Sequence, residues 1–391
     1  FLSLLSLGGK QATADRGPFT ATGNWVWRWK DRIDREFMAR FSELPAMQAQ
    51  APLDRLPATG DDQPHCGGCG AKLGADGLAH ALTQLSDLYP QHALASEPGD
   101  DAATLRVEGG LALQSVDSLR ALVADPWLMG RIAANHALSD LYACGAQPRS
   151  ALAMVTLPFA SQELLSRDLH QVLAGALATL SEAGCPLQGG HSMQGPEMQL
   201  GFAVTGPPMA SDGGVLAKQG LRVGDQLVLT KALGTGVLFA AHMQQQADGR
   251  DIRSAIDLML QSNGPAAEIA VEHGVAAATD VTGFGLLGHL LEMFMPGQGA
   301  RLELDAVPLL PGAAAAAKRG MRSTLYPDNH RTCERFLTGG VPDDPAAALL
   351  FDPQTSGGLL LGVPSGRCDS LLQSLREAGI DAARIGEVVD G

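Results

Sequence analysis

Apolar and polar residues alternate along most of the chain in a way that predicts both strands and helices. Residues 111–116, 151–157 and 225–230 are short apolar runs that predict strands. Residues 130–144 repeat small apolar side chains at a spacing of four, which is typical of a helix, and residues 162–183 predict a longer one. The pattern therefore predicts a fold that combines sheets and helices.

Two breaks interrupt this pattern. Before the first break lie three of the four tryptophans and, over residues 31–38, the pattern of an amphipathic helix; a proline-rich polar linker follows over residues 45–64. The second break, at residues 206–214, is rich in glycine and proline. We therefore predict three parts, which comprise residues 1–50, 51–207 and 208–391.

The composition narrows the class of protein. The chain has 391 residues with a net charge of −14, which argues against nucleic acid or an anionic membrane as a partner. No apolar run approaches the roughly 20 residues of a membrane span, and no secretion signal is present, so we expect a cytoplasmic protein. An acidic protein that handles phosphates needs metal ions to offset charge, which predicts clustered carboxylates.

Cysteine and glycine concentrate in one short segment. Cys66 and Cys69 lie among three glycines and precede Lys72, which predicts a mobile loop with uncovered thiols beside a phosphate-binding lysine. Half of a zinc site, a redox dithiol and a loop without chemistry remain open as alternatives. The other cysteines lie in apolar contexts and predict buried thiols: Cys144, Cys185, Cys333 and Cys368.

Aspartates recur near the ends of predicted elements. Asp100 and Asp101 form a turn before a strand, whereas Asp117 and Asp280 each follow a strand-like run. Asp140 lies at the edge of the apolar stripe of a predicted helix, where an unpaired charge is unfavourable. Each alone is explained by a turn or a cap, but together they supply the hard oxygen ligands that magnesium prefers.

Two further groups of residues have simpler interpretations. Gly189, Gly190 and His191 predict either a turn whose N–H groups meet phosphate or an ordinary hairpin turn. Three helix-borne histidines are interpreted as surface or packing residues: His136, His273 and His289. No Walker A or protein-kinase signature is present, so phosphoryl transfer would need another scaffold.

Seven motifs in order resemble those of selenophosphate synthetase, and the resemblance spans residues 65–391. They lie at residues 68–72, 100–103, 117, 130–140, 189–192, 279–285 and 352–358.

This resemblance implies a fold and a reaction. The fold is α+β with two domains, similar to aminoimidazole ribonucleotide synthetase: an N-terminal α+β half-barrel and a C-terminal α/β sandwich. The family forms homodimers through its N-terminal sheets. It converts ATP, selenide and water into selenophosphate, AMP and phosphate with Mg²⁺, and K⁺ is a candidate second cation. Thiamine-phosphate kinases and hydrogenase-maturation proteins of the same fold are the nearest alternatives.

The resemblance also implies roles for individual residues. Cys69 is the reactive thiol, and Lys72 serves both in catalysis and in phosphate binding. The implied magnesium ligands are Asp101, Asp140 and Asp280. The implied ATP contacts are Lys72, Asp100, Asp117, Asp140, Gly189, Gly190 and His191. Many family members have a second cysteine where this chain has Ala71, whereas its own extra cysteine is Cys66.

The first 45 residues lie outside this match. Residues 16–18 and 25–31 resemble the C-terminal end of a flavin-dependent NADH dehydrogenase-like protein, which some selenophosphate synthetases carry as a fused domain. Only the tail of such a domain would be present, without its nucleotide-binding fingerprints, so no FAD site is expected.

Overall fold

The computed structural model describes residues 3–16, 18–42, 66–72, 82, 101–108, 110–342 and 344–391. The chain divides into two compact units, Phe1–Gln63 and Pro64–Gly391.

The first unit is a small sheet with one helix. Strands β1 (Ser3–Gly8), β2 (Gln11–Arg16) and β3 (Phe19–Gly23) pair antiparallel in that order, and α1 (Asn24–Ser42) follows directly. The helix predicted over residues 31–38 is confirmed but begins earlier. Among the described side chains of this unit, the buried core consists of Ala12, Ala14 and Val26.

The described residues of the second unit form two five-stranded sheets. The first is built from β4 (Ala103–Val107), β5 (Gly110–Arg120), β6 (Ser150–Pro158), β7 (Leu187–Gly195) and β8 (Gln199–Gly206) in the order β4-β5-β8-β6-β7. All its neighbours are antiparallel except β6 and β7, which run parallel.

Two helices, α2 (Pro126–Ala143) and α3 (Gln162–Glu182), pack together and cover one face of this sheet. Alternate residues of β6, such as Ala153 and Val155, are buried on that face, whereas Leu152 and Met154 are exposed on the other. Helix α2 begins where Asp125 accepts hydrogen bonds from the N–H groups of Trp127 (2.9 Å) and Leu128 (3.1 Å).

The second sheet is antiparallel throughout, in the order β10-β12-β9-β13-β11. Its strands are β9 (Gln226–Leu229), β10 (Ala277–Asp280), β11 (Gln298–Leu302), β12 (Leu359–Val363) and β13 (Ala383–Asp390). The helices of this half are α4 (Thr235–Met243), α5 (Gly249–Met259), α6 (Gly264–Glu272), α7 (Gly285–Met293), α8 (Ala313–Lys318), α9 (Tyr326–Glu334) and α10 (Ser365–Glu377). Short 3₁₀ turns lie at Cys69–Ala71, Leu304–Ala306 and Pro345–Leu350.

Helix α2 connects the two halves, because it contacts β5 and β8 on one side and β10, α5 and α6 on the other. One continuous apolar core joins residues of both sheets, including Phe202 and Leu361. None of the helices in the described part of the chain is long and apolar enough to cross a membrane.

Two local predictions are wrong. Asp117 does not end its strand but lies inside β5, where it is opposite Phe202 of β8. Gly189 and Gly190 do not form a turn, because they belong to β7 and pair with Leu152 and Ala153 of β6. In both cases pairing with a neighbouring strand extends the regular structure through residues whose local sequence favours a break.

Candidate active site

The glycine-rich loop, residues 66–72, lies closed against other parts of the second unit. The backbone N–H of Gly68 donates to Arg120 O (3.0 Å), that of Cys69 to Thr355 Oγ1 (3.2 Å) and that of Cys66 to Thr324 Oγ1 (2.7 Å). Cys69 is 0% exposed and Cys66 is also buried. The prediction of uncovered thiols is therefore wrong for this conformation, because the same glycines that permit movement also permit close approach.

Gly68 illustrates that close approach. Its φ is +58°, a conformation that glycine adopts without strain, and a Cβ at this position would lie 2.4 Å from Thr355 Oγ1. The Thr355 hydroxyl, which accepts the hydrogen bond from the Cys69 N–H, thus occupies the space that a side chain at position 68 would need.

The Cys69 thiol contacts a histidine that the sequence interpretation did not assign to the site. His136 Nε2 lies 3.2 Å from Cys69 Sγ and 2.8 Å from Asp117 Oδ2, and its side chain is 1% exposed. His136 is therefore not a surface residue, and its ring contacts two residues of the candidate site. One signal was available: His136 precedes Asp140 by four residues, which places both on one face of α2.

Lys72 reaches the same carboxylate from the loop. Its Nζ lies 3.3 Å from Asp117 Oδ2. Burial alone would lower the pKa of Lys72, but Asp117 and Cys69 raise it above its usual value, so the side chain is a cation. Gly283 lies directly against it, because a Cβ there would be 2.9 Å from Lys72 Cδ.

Asp117 is held ionised by these contacts. Burial opposes its charge, but His136 and Lys72, together with the Ser118 N–H, lower its pKa below the usual range. Within β5, Asp117 and Ser115 lie on the face towards α2, and Ser115 donates its hydroxyl to Asp140.

Four predicted carboxylates converge near this point. Burial, followed by the charges of Asp280 and Asp117, raises the pKa of Asp140 well above its usual value, and Asp101 contributes in the same direction. Asp280 ends β10 and is 1% exposed. These mutual effects mean that the carboxylates repel one another.

Asp101 has a cationic partner within the protein. Lys218 Nζ lies 2.7 Å from Asp101 Oδ1 and 2.8 Å from Glu292 Oε2. Burial raises the pKa of Asp101 and Lys218 opposes that rise, but the net shift is upward. One Asp101 oxygen, Oδ2, therefore remains available on the side away from this ion pair.

The carboxylates offer oxygen atoms to a magnesium ion but do not form a complete ligand set by themselves. Among the described residues, the buried Oδ2 atoms of Asp101 and Asp280 accept no hydrogen bond, as expected of atoms reserved for a cation. The described part of the chain contains no three His, Cys, Asp or Glu side chains already at metal-ligand spacing. Such a site fits Mg²⁺, which takes most of its ligands from water and phosphate oxygens and few from the protein.

The motif at residues 352–358 forms the floor of the site. Asp352 Oδ2 accepts the Val237 N–H (2.7 Å), and Gln354 Oε1 accepts the Gly234 (2.9 Å) and Thr235 (3.1 Å) N–H groups. These bonds fasten the motif to the start of α4. Thr355 and Ser356 then face the loop and His136.

Not every predicted residue joins this cluster. Gly189, Gly190 and His191 are exposed on the edge strand β7, which β8 and β6 separate from β5. Three strand spacings amount to about 14 Å, so within one chain these residues lie apart from Asp117. Their contact with ATP stays a prediction, and Asp100 lies outside the described residues.

The sequence matches two related family descriptions. Residues 99–207 match the AIR synthase related protein, N-terminal domain, and residues 222–391 match the AIR synthase related protein, C-terminal domain. Solved structures agree on the fold. A thiamine monophosphate kinase from Aquifex aeolicus has a TM-score of 0.58 at 17% identity and covers 82% of this chain and 96% of its own. Hydrogenase maturation protein HypE has a TM-score of 0.56 at 21% identity, with 78% and 88% covered. The expected two-domain fold is therefore confirmed.

Closer relatives carry one description. A selenide, water dikinase from Myxococcus xanthus is 40% identical over 334 residues, which cover 84% of this chain and 93% of the relative. Two further selenide, water dikinases resemble this chain to a similar degree. They come from Burkholderia orbicola (39% identical, 88% of this chain and 97% of the relative covered) and Desulfitobacterium hafniense (38% identical, 83% and 94% covered). The chain belongs to the selenide, water dikinase family.

Proposed function

We propose that this protein phosphorylates selenide at the expense of ATP and releases selenophosphate, AMP and phosphate. The observation that carries the proposal is the placement of one thiol, Cys69, within a buried cluster of a lysine and carboxylates. A phosphoryl-transfer site needs a cation such as Lys72 and carboxylates that can hold a metal ion. A thiol, in contrast, suits a chalcogen substrate. The family membership supports the same reaction.

The proposed roles follow from charge. Mg²⁺, when bound with ATP, would offset the negative charge on the phosphates, and the residues suited to hold it are Asp101, Asp140 and Asp280. Lys72 would add its charge at the transferred phosphoryl group, and Asp117 keeps that ammonium in position. A HypE structure in complex with ATP supports nucleotide binding by this fold.

The closed loop would exclude water during the first transfer. Because Cys69 is fully buried, selenium near its sulfur would accept the γ-phosphoryl group in preference to water. ADP would then remain in the site. Attack of water on ADP then yields AMP and phosphate, which balances the overall reaction.

Phosphorus NMR tests this reaction directly. With ATP, Mg²⁺, selenide and a reductant, we expect AMP, phosphate and selenophosphate in equal amounts, and no AMP without selenide. Cys69→Ser should lose selenophosphate while retaining ATP binding, and Cys144→Ser, which removes a half-buried thiol elsewhere, serves as the control. If the protein instead phosphorylates thiamine monophosphate, or if Cys69→Ser is fully active, the assignment is wrong.

We further propose that two copies associate through the open face of the first sheet. Apolar side chains of four strands are exposed there: Leu105, Val107, Val116, Leu152, Met154 and Met193. A contiguous apolar face of this kind is typical of a protein interface. Light scattering at micromolar concentration should give twice the chain mass, and a monomer would contradict the proposal.

Dependence on K⁺ and a cytoplasmic location stay predictions, as do the domain limits and the origin of the first unit. Replacing KCl by NaCl at constant ionic strength in the same assay would test the first of these.

A further inference from the structure

His136 lies between the Cys69 sulfur and the Asp117 carboxylate. Its Nε2 is within hydrogen-bond distance of both Cys69 Sγ (3.2 Å) and Asp117 Oδ2 (2.8 Å). Asp117 Oδ2 in turn accepts a hydrogen bond from Lys72 Nζ. A single imidazole therefore connects the thiol to the ion pair that we assign to phosphate binding, although Cys69 and His136 are 67 residues apart in sequence.

The other ring nitrogen has a donor facing it. The backbone N–H of Ser356 donates to His136 Nδ1 at 3.3 Å. Nδ1 must therefore offer a lone pair, and the ring proton must lie on Nε2.

The backbone around Ser356 is held in the conformation that aims this N–H. Ser356 has a φ of +50°, which a residue with a side chain rarely adopts. Its hydroxyl donates to Ile132 O (3.3 Å), and its carbonyl accepts Lys231 Nζ (3.0 Å). Three separate contacts thus maintain an unfavourable local conformation at a residue that contacts the imidazole, which indicates a functional constraint.

The charged groups around His136 favour a protonated ring, whereas its hydrogen-bond geometry opposes one. Burial lowers the pKa of His136, but Cys69 and Asp117 raise it, and the net shift is well upward. A second proton would occupy Nδ1, however, and would point at the Ser356 N–H, so that two donors would face each other without an acceptor. We therefore favour the neutral ring.

We propose that His136 is a positioning residue for Cys69: a neutral imidazole, fixed by Ser356, whose Nε2–H is shared between Asp117 and the sulfur. The imidazole donates a hydrogen bond to the sulfur and so holds it beside Lys72. It does not act as the base that removes the thiol proton. This inference rests on the proposed function only in assigning the sulfur to selenium chemistry.

Nitrogen NMR of protein labelled with ¹⁵N-histidine tests the tautomer in the unmodified chain. The resonances of His136 are identified by their loss in His136→Gln. We expect one protonated and one unprotonated ring nitrogen, with no change between pH 6 and pH 8. Two protonated nitrogens at pH 7 would overturn the proposal.

Two variants test the role. His136→Gln places an amide N–H near the position of Nε2 but cannot act as a base, whereas His136→Leu has no donor. Loss of a hydrogen bond to a charged group should lower kcat of the leucine variant by about 10- to 100-fold with the KM for ATP nearly unchanged, and glutamine should restore most of it. Thermal unfolding checks that both variants are folded. An equal loss of kcat in the two folded variants would contradict a donor role.

Alkylation of Cys69 by iodoacetamide, located by mass spectrometry, gives a readout that needs no selenide. In His136→Leu the pH–rate profile should move to higher pH, whereas in His136→Gln it should stay near that of the parent. An unchanged profile in the leucine variant would overturn the proposal. Because neither alkylation nor NMR requires turnover, failure of the proposed reaction would leave this inference separately testable.

Discussion

Substitution of Gly68 by alanine should open the cysteine loop. Gly68 has a φ of +58° and a ψ of −143°, a combination that is nearly restricted to glycine. The added Cβ would lie 2.4 Å from Thr355 Oγ1, so either the loop or the threonine must move. Movement of the threonine would remove the acceptor of the Cys69 N–H.

The cost can be approximated from these two effects. A side chain in such a backbone conformation costs about 1–3 kcal/mol. Loss of one backbone hydrogen bond adds about 1 kcal/mol. The closed conformation should therefore lose about 2–4 kcal/mol relative to an open one, which corresponds to a fall of about 30- to 1,000-fold in the ratio of closed to open loops.

The assay is the rate at which iodoacetamide alkylates Cys69, followed by intact mass and peptide mapping. We expect this rate to rise at least tenfold in Gly68→Ala and selenophosphate formation to fall, with little change in the melting temperature of the rest of the fold. Gly366→Ala is the matched control, because no atom lies within 4 Å of its added Cβ and its φ lies outside the left-handed region. An unchanged alkylation rate together with full activity in Gly68→Ala would refute the argument that this contact keeps the loop closed.

Three further predictions concern other parts of the protein. Asp140→Asn should stabilise the metal-free protein by about 1 kcal/mol near pH 8, because it removes a carboxylate whose pKa is raised by burial and by its neighbours, yet it should lower turnover at least 100-fold; lower stability in calorimetry would contradict this. Burial lowers the pKa of Lys231 to about 7, so between pH 7 and pH 10.5 the unfolded chain binds more protons and the free energy of unfolding should rise by up to about 1.4 kcal/mol per pH unit. Denaturant titrations should show that Lys231→Met removes this rise, and an identical pH dependence in both proteins would contradict the burial of a titrating amine. Met154→Glu places a charge on the exposed sheet face and should give monomers in light scattering, whereas dimers of unchanged affinity would exclude that face as the interface.

The sequence was informative where chemistry is carried by short motifs. Cys69, Lys72 and the aspartates stand out because glycines, a lysine and acidic residues recur in a recognisable order, and the structure brings Cys69, Lys72, Asp117 and Asp140 together. Helix α2 was also predictable, since its alanine spacing follows one helical face. Its true start at Pro126 follows from the cap at Asp125, a signal that periodicity alone does not contain.

The remainder of the site depends on contacts between distant residues. Thr355 meets the Cys69 N–H across 286 residues and Ser356 meets His136 across 220. No local pattern specifies such pairs, because the two partners are aligned only when both sheets pack against α2. The same reasoning applies to Gly189 and Gly190, whose local preference for a turn yields to parallel pairing with β6.

We expect the separate carboxylates to form one divalent-cation site when nucleotide is bound. Crystals grown with Mn²⁺ and AMPPCP, with anomalous scattering measured at the manganese edge, test this site. Anomalous peaks should lie between the analogue's phosphates and the carboxylates of Asp140 and Asp280, with Lys72 at the terminal phosphate. Manganese bound elsewhere, or phosphates bound away from Asp140 and Asp280, would contradict it.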